Sequence, residues 1–320
     1  MWKLSSWLLT EQGGVWPKAD MFFLLVPKII YLSVKVFLWI SLSKNVRDQS
    51  DQSNSLKIGD FVGISPSFTL FRNLYKARKI LGFSKPTLLK ISVPKYGYRV
   101  YCPISVSKDD FLSMTRAEEE IIQHFQPRKG DIVVDIGAHI GRYTVIASNR
   151  VGPRGKVIAI EANPDNFEML NCNIKLNQLS NVICLNYAVY SQETKIKLYL
   201  AGEQSGHTIY NTLISERASN EKFVEINANT LVNLLRLQGI SEVNWIKIDV
   251  EGAEFEVLKG ATSILSQSNN ISVLIEVHKL SGGTTLYKPI IEFLSMYNFK
   301  IDFEKTYYSG EKHLIARKQH

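Results

Sequence analysis

From Asp131 to His320, short apolar runs alternate with longer stretches whose apolar residues recur every three or four positions. The runs predict strands at 131–135, 156–161, 182–186, 245–250, 271–277, 299–305 and 312–317. The stretches between them predict helices at about 141–150, 164–177, 230–237, 253–266 and 286–297. Further strands fill 194–200 and 222–228. Alternating strand and helix predict an α/β fold, a doubly wound and mostly parallel sheet covered by helices on both faces. Only "YYSGE" separates the last two strands. That is too short for a crossover helix, so they should pair antiparallel.

The pattern changes before Asp131. "FFLLVPKIIYLSVKVFLWISL", residues 22–42, is the most apolar segment, and as a helix it would be about 31 Å long, enough to cross a bilayer. Pro27, Lys28 and Lys35 argue against a simple span; the lysines share one narrow face with Tyr31 beside them, as in a helix lying in the interface. The alternative is a helix packed on the rest of the protein. No small-residue cleavage site follows the run, which argues against a secretory signal. After a polar linker, "SFTLFRNLYKARKILG" sets Leu70, Phe71, Leu74, Tyr75 and Leu81 in an apolar stripe, with Arg72, Lys76 and Lys79 facing away. "KISVPKYGYRVYCPI" predicts two short strands around a turn at Lys95 to Gly97, and "TRAEEEIIQHF" begins a helix with Thr115 and Glu118 as a capping box. Three regions follow: 1–60, apolar helix and linker; 61–130, basic helix, hairpin and lead-in helix; and 131–320, the α/β domain.

Charge sharpens this division. The net charge of +8 belongs to the N-terminal part, since residues 1–130 hold 19 Lys and Arg against 10 Asp and Glu, whereas 131–320 hold 19 against 20. Phe61 to Lys108 contains nine basic residues and no acid. Such a block seeks an anionic partner. An anionic membrane surface fits best beside an apolar helix, because stable anchoring takes two signals. Nucleic acid is the weaker partner, as no zinc finger, RNA-binding sheet motif or helix-turn-helix accompanies the charge. Cys102, Cys172 and Cys184 form no CxxC or paired framework, which favours a reducing compartment. The location implied is cytoplasmic, with attachment to the inner face of the membrane through residues 22–42.

Candidate chemistry begins at "DIVVDIGAHIGRYTVIASNRVG", residues 131–152, and "GKVIAIEANP", which ends a second apolar run at Glu161. In a doubly wound sheet, ligands bind beyond the C-terminal ends of strands, where Asp135 and Glu161 sit. Gly137 permits a tight turn and a close ligand, Gly141 opens a helix whose amides face an anion, and Glu161 is placed to accept both hydrogen bonds of a ribose diol. NAD and S-adenosylmethionine both fit so far. A dinucleotide site needs GxGxxG, but here the spacing is "GAHIG", and His139 would obstruct a pyrophosphate. S-adenosylmethionine has none, and Asp135 is placed to balance its ammonium. The candidate cofactor-binding set is Asp135, Gly137, His139, Gly141, Glu161 and Asn186.

In that order, "VVDIGAHIGRYT", "IEANPDNFEMLNCNIKLNQLSNV", "IKIDVEGAEFEVLKGA" and "VLIEVH" resemble the FkbM-type family of S-adenosylmethionine-dependent methyltransferases, over roughly residues 90 to 318. The resemblance implies seven strands in the order 3-2-1-4-5-7-6 with strand seven antiparallel, and O-methylation of a hydroxyl on a small molecule or sugar; a lipid-linked glycan is a further candidate acceptor. It matches Asp135, Gly137 and Gly141 to the family's glycine loop, Glu161 to its ribose acid, and Asp249, Glu251 and Gly252 to its fourth-strand motif. His139 departs from the usual Asn, and Leu231–Val232 from a frequent Leu-Asp. An NAD-dependent oxidoreductase and a non-catalytic membrane-associated protein are the alternatives.

For the chemical step, alternation places Lys247, Asp249 and Glu251 on one side of their strand, and Glu276 and His278 on one side of theirs. Lys247 reads as a buried ammonium paired with one of these carboxylates. His278 is the candidate general base, with Asp249 and Glu276 beside it as the catalytic set. Asp249, Glu276 and His278 also offer oxygen and imidazole to a divalent cation, but their spacing is not diagnostic and no metal is assigned.

Overall fold

The computed structural model describes residues 88–93, 96, 98–103, 118–200, 208–209, 222–280, 283–307 and 310–319. The apolar run at 22–42, the basic amphipathic stretch and Thr115 lie outside these. Among the described residues no helix is long and apolar enough to cross a membrane.

The strands are β1 (Leu88–Val93), β2 (Tyr98–Pro103), β3 (Ile132–Ile136), β4 (Lys156–Ile160), β5 (Val182–Leu185), β6 (Ala188–Val189), β7 (Thr194–Tyr199), β8 (Phe223–Asn229), β9 (Trp245–Ile248), β10 (Ser272–Val277), β11 (Phe299–Thr306) and β12 (Lys312–Lys318). The helices are α1 (Glu119–His124), α2 (Arg142–Val151), α3 (Pro164–Leu176), α4 (Leu231–Arg236), α5 (Glu254–Lys259), α6 (Thr262–Gln267) and α7 (Tyr287–Met296).

Seven strands form one sheet in the order β11-β12-β10-β9-β3-β4-β5. The β5-β4-β3-β9-β10 part is parallel, and β12 runs antiparallel between β10 and β11. This is the strand order that the resemblance implied, with β12 as its antiparallel seventh strand. The central strands are buried on both faces, which is why they read as continuous apolar runs. Neighbouring residues on β3 serve opposite cores: Val133 packs with Ile121 and Ile122 of α1, with Phe125 just after it, and with Val145 and Ile146 of α2. Val134 packs with Leu234, Leu235, Val257, Leu265 and Leu294 of α4 to α7. β6, β8 and β7 make a separate three-stranded sheet, and β1 pairs with β2 as a hairpin.

Two local expectations need correction. The single helix expected over 253–266 is two, because the chain breaks at Gly260 and Ala261. A Cβ at Gly260 would lie 2.1 Å from the Tyr190 carbonyl, so the backbone there is pressed against the loop after β6. The capping box also fails at its acidic member. Glu118 caps α1 with left-handed backbone, φ 62°, and makes no side-chain cap. Its carboxylate instead accepts the Tyr143 hydroxyl at 2.7 Å.

Candidate active site

β3, β4, β9 and β10 end at the same edge of the sheet, and a cavity of about 450 Å³ opens there. Gly137, His139, Glu161, Asp249, Glu251, Glu276 and His278 line it. Tyr187, Val189 and Ile209 add an apolar side.

Glu161 follows β4 and is 6% exposed. Its carboxylate accepts the backbone N–H of His139 at 2.7 Å and of Asn163 at 2.9 Å. The carboxylate also takes a side-chain hydrogen bond from Asn166, within the four lone-pair sites that a carboxylate offers. Burial raises its pKa, against the opposing pull of His139 and these amides. Asn186 does not line the cavity; its side-chain amide donates to the carbonyls of Glu161 and Ala162 and so holds the chain that carries the carboxylate. Asn166, which sequence reasoning missed, lines the cavity from the first turn of α3. The "ANP" capping signature, in which Asn163 accepts from the amides of Asp165 and Asn166, was the signal for that turn.

Asp135 has a different partner from the one expected. It is 1% exposed, does not line the cavity, accepts the Thr144 hydroxyl at 2.6 Å and faces Lys247 Nζ at 3.6 Å. Burial raises its pKa, more than Lys247 and Thr144 lower it. It therefore balances a lysine inside the protein rather than a ligand's ammonium. Gly141 is also away from the cavity. A Cβ there would meet Leu170 Cδ1 at 2.8 Å, and its N–H donates to the Ala138 carbonyl, so packing against α3 requires this glycine.

Lys247 is a buried ammonium behind the residues that line the cavity. It donates to Asp249 Oδ2 at 3.0 Å and to the Gly137 carbonyl at 3.1 Å. Burial works against its charge, but Asp249 and Asp135 outweigh it and raise the pKa. Asp249 is correspondingly lowered: Lys247 and His278 overcome its burial. Glu276 is raised by burial and by Asp249.

His278 is 6% exposed and ringed by acids. Nδ1 lies 2.7 Å from Glu254, while Nε2 lies 3.5 Å from Glu251, 3.7 Å from Glu276 and 3.8 Å from Asp249. Burial would lower its pKa, but Glu251 and Glu254 win and hold it well above the ordinary histidine value. The shift favours the protonated ring, which has no lone pair to accept a proton. The neutral general base expected of His278 is not the form that these neighbours favour. Glu254, Glu118 and His313 were not singled out for this region. Glu254 lay within the quoted "IKIDVEGAEFEVLKGA", but His313 reaches the site only because β12 pairs with β10, placing it opposite Glu276.

The sequence profile of the Methyltransferase FkbM domain matches residues 135–301. The chain belongs to the FkbM methyltransferase family. That family is S-adenosylmethionine-dependent, which displaces the dinucleotide alternative. Among curated relatives, the chain is 30% identical over 165 residues to Hexuronic acid methyltransferase AglP of Haloferax volcanii, covering 51% of this chain and 63% of that one. It is 29% identical over 154 residues to Methyltransferase sdnD of Sordaria araneosa, covering 40% and 59%. The chain thus spans about three fifths of the length of these relatives. The crystal structure of Methyltransferase FkbM from Methylobacillus flagellatus KT is similar at a TM-score of 0.42 and 16% identity, over 59% of this chain and 43% of that one.

Proposed function

We propose that the chain transfers a methyl group from S-adenosylmethionine to a hydroxyl oxygen of a small-molecule acceptor, with a sugar as the favoured class. One observation carries this reading: a buried carboxylate at the end of β4, Glu161, faces the cavity with its orientation set by two backbone amides. It is placed to accept from the two hydroxyls of a ribose, and Gly137 leaves the adjoining backbone bare. Across the cavity, Asp249, Glu251 and Glu276 form an acidic wall suited to a cofactor whose sulfur and amino group are positive.

The bound cofactor would supply an electrophilic methyl carbon. The chain's own part is to aim the acceptor oxygen at it and to relieve that oxygen of its proton. Asp249 and Glu276 can hold the hydroxyl by accepting its hydrogen. Proton acceptance is assigned to a carboxylate of this wall, because Glu251 and Glu254 raise the pKa of His278 and favour its protonated form. The name of the Haloferax relative makes a hexuronic acid the first acceptor to try. Incubating the purified chain with S-adenosylmethionine labelled in its methyl group and a panel of free and lipid-linked sugars, followed by mass spectrometry, tests the reading. Label in a sugar ether supports it, label in a sugar methyl ester would make a carboxylate the acceptor instead of a hydroxyl, and label confined to protein or nucleic acid refutes it.

The same reading keeps the chain at the cytoplasmic face of a membrane through residues 22–42, supported by Lys28, Lys35 and the basic block at 61–108. Sedimentation with anionic liposomes, with and without residues 1–43, tests this. Full sedimentation of the shortened chain would remove the apolar segment from the role.

A further inference from the structure

The acidic wall has an order that holding a positively charged cofactor does not require. Asp249, Glu276 and His278 each have one polar atom tied to a buried support. Asp249 Oδ2 takes Lys247 Nζ at 3.0 Å, Glu276 Oε2 takes His313 Nε2 at 3.1 Å, and His278 Nδ1 meets Glu254 Oε1 at 2.7 Å. Glu254 is itself 1% exposed and fixed by the Gly252 N–H at 2.9 Å. The remaining atoms, Asp249 Oδ1, Glu276 Oε1 and His278 Nε2, turn toward one another. Among the described residues none of the three makes a hydrogen bond. Nε2 stands 3.8 Å from Oδ1 and 3.7 Å from Oε1, beyond hydrogen-bond range, and the three groups offer atoms all within 4.8 Å of one another.

We propose that Asp249, Glu276 and His278 bind one divalent cation through these three atoms. Ligands about 2.0–2.2 Å from an ion stand roughly 3–3.5 Å from each other, so a small inward movement closes the set. Each supporting residue does for its ligand what outer partners do in metal sites. A carboxylate on the far nitrogen of a histidine fixes the tautomer that leaves the other nitrogen free to coordinate. His278, more than nine-tenths buried, aims Nε2 into the gap. Glu251 Oε2, 3.5 Å from that nitrogen, offers a fourth oxygen. Two carboxylates with one imidazole and no thiolate suit manganese or magnesium better than a softer ion. If the methyl-transfer reading above is right, the ion borders the place of the acceptor hydroxyl; the ion's binding itself does not rest on that reading.

The test uses the full chain, stripped with a chelator and titrated with Mn²⁺ while the signal of free Mn²⁺ is followed by electron paramagnetic resonance. One ion per chain is expected. D249N and E276Q should each weaken binding by about 100-fold or more, and E254Q by roughly 10-fold through loss of orientation. Circular dichroism establishes that each variant is folded, and with two ligand variants on different strands, failure of one leaves the other. Absence of saturable Mn²⁺ binding, or equal binding by wild type and both folded ligand variants, would overturn the proposal. Calorimetry with S-adenosylmethionine in the presence of chelator is run on the same samples, so loss of the metal site and loss of the cofactor reading give different results.

Discussion

The carbonyl oxygen of Asp249 lies 1.8 Å from where a Cβ on residue 137 would stand. The backbone after β9 therefore closes directly onto the loop after β3, and Lys247 seals the contact by donating to the Gly137 carbonyl. Gly137 also has φ +73°, a region that side chains rarely adopt. Gly137→Ala should cost on the order of 3 kcal/mol or more, since backbone must move as well as strain. Gly239→Ala, with φ +69° and open space around it, should cost only about 1 kcal/mol. Chemical denaturation of the two variants compares them, and equal losses would mean that the approach of Asp249 is relieved without cost.

Asn173 holds the same loop from the other side. It is fully buried on α3 and donates its side-chain amide to the Ile140 carbonyl at 2.7 Å. Asn173→Ala should leave that carbonyl unpaired and cost about 1–3 kcal/mol. Cofactor affinity should fall with it, because His139 in this loop orients Glu161. Calorimetry below the melting temperature separates the two effects.

Glu161→Ala should weaken S-adenosylmethionine by about 2–3 kcal/mol through loss of charge-assisted hydrogen bonds to the ribose. It also frees the amides of His139 and Asn163, so the fold must be checked by circular dichroism. Unchanged affinity in a folded variant would place the ribose elsewhere.

Asp135 permits a pH test. Its folded pKa is raised, chiefly by burial, so ionisation is harder in the folded chain than in the unfolded one. The contribution from this group is complete below the unfolded pKa of about 3.9 and is lost as pH rises through the folded value. Asn cannot ionise and keeps the bond to Thr144. The stability of Asp135→Asn relative to wild type should therefore increase from about pH 4 upward until the folded pKa is passed. Melting temperatures across that range measure it. A decrease instead would mean that Lys247, rather than burial, sets the balance at this carboxylate.

Periodicity alone disclosed nearly every element of the α/β domain, because strands buried on both faces must be apolar throughout and helices buried on one face must carry a stripe. The cavity-lining places of Gly137, Glu161, Asp249 and His278 were legible for a related reason: strand ends in such a sheet face the ligand edge. What a side chain does there was not legible. Asp135 and Glu161 both follow apolar strand-like runs, yet one is consumed by Lys247 and the other opens to the cavity. Glu118 suited a cap by spacing but is bonded to Tyr143, 25 positions later. His313 lies 35 positions beyond His278, and only the antiparallel insertion of β12 next to β10 sets it against Glu276. Local pattern follows from the hydrophobic burial of each segment by itself, so it can be read along the chain. Charge pairing and protonation depend on which buried groups the fold brings within a few ångströms of one another, and that is decided only when the sheet is assembled.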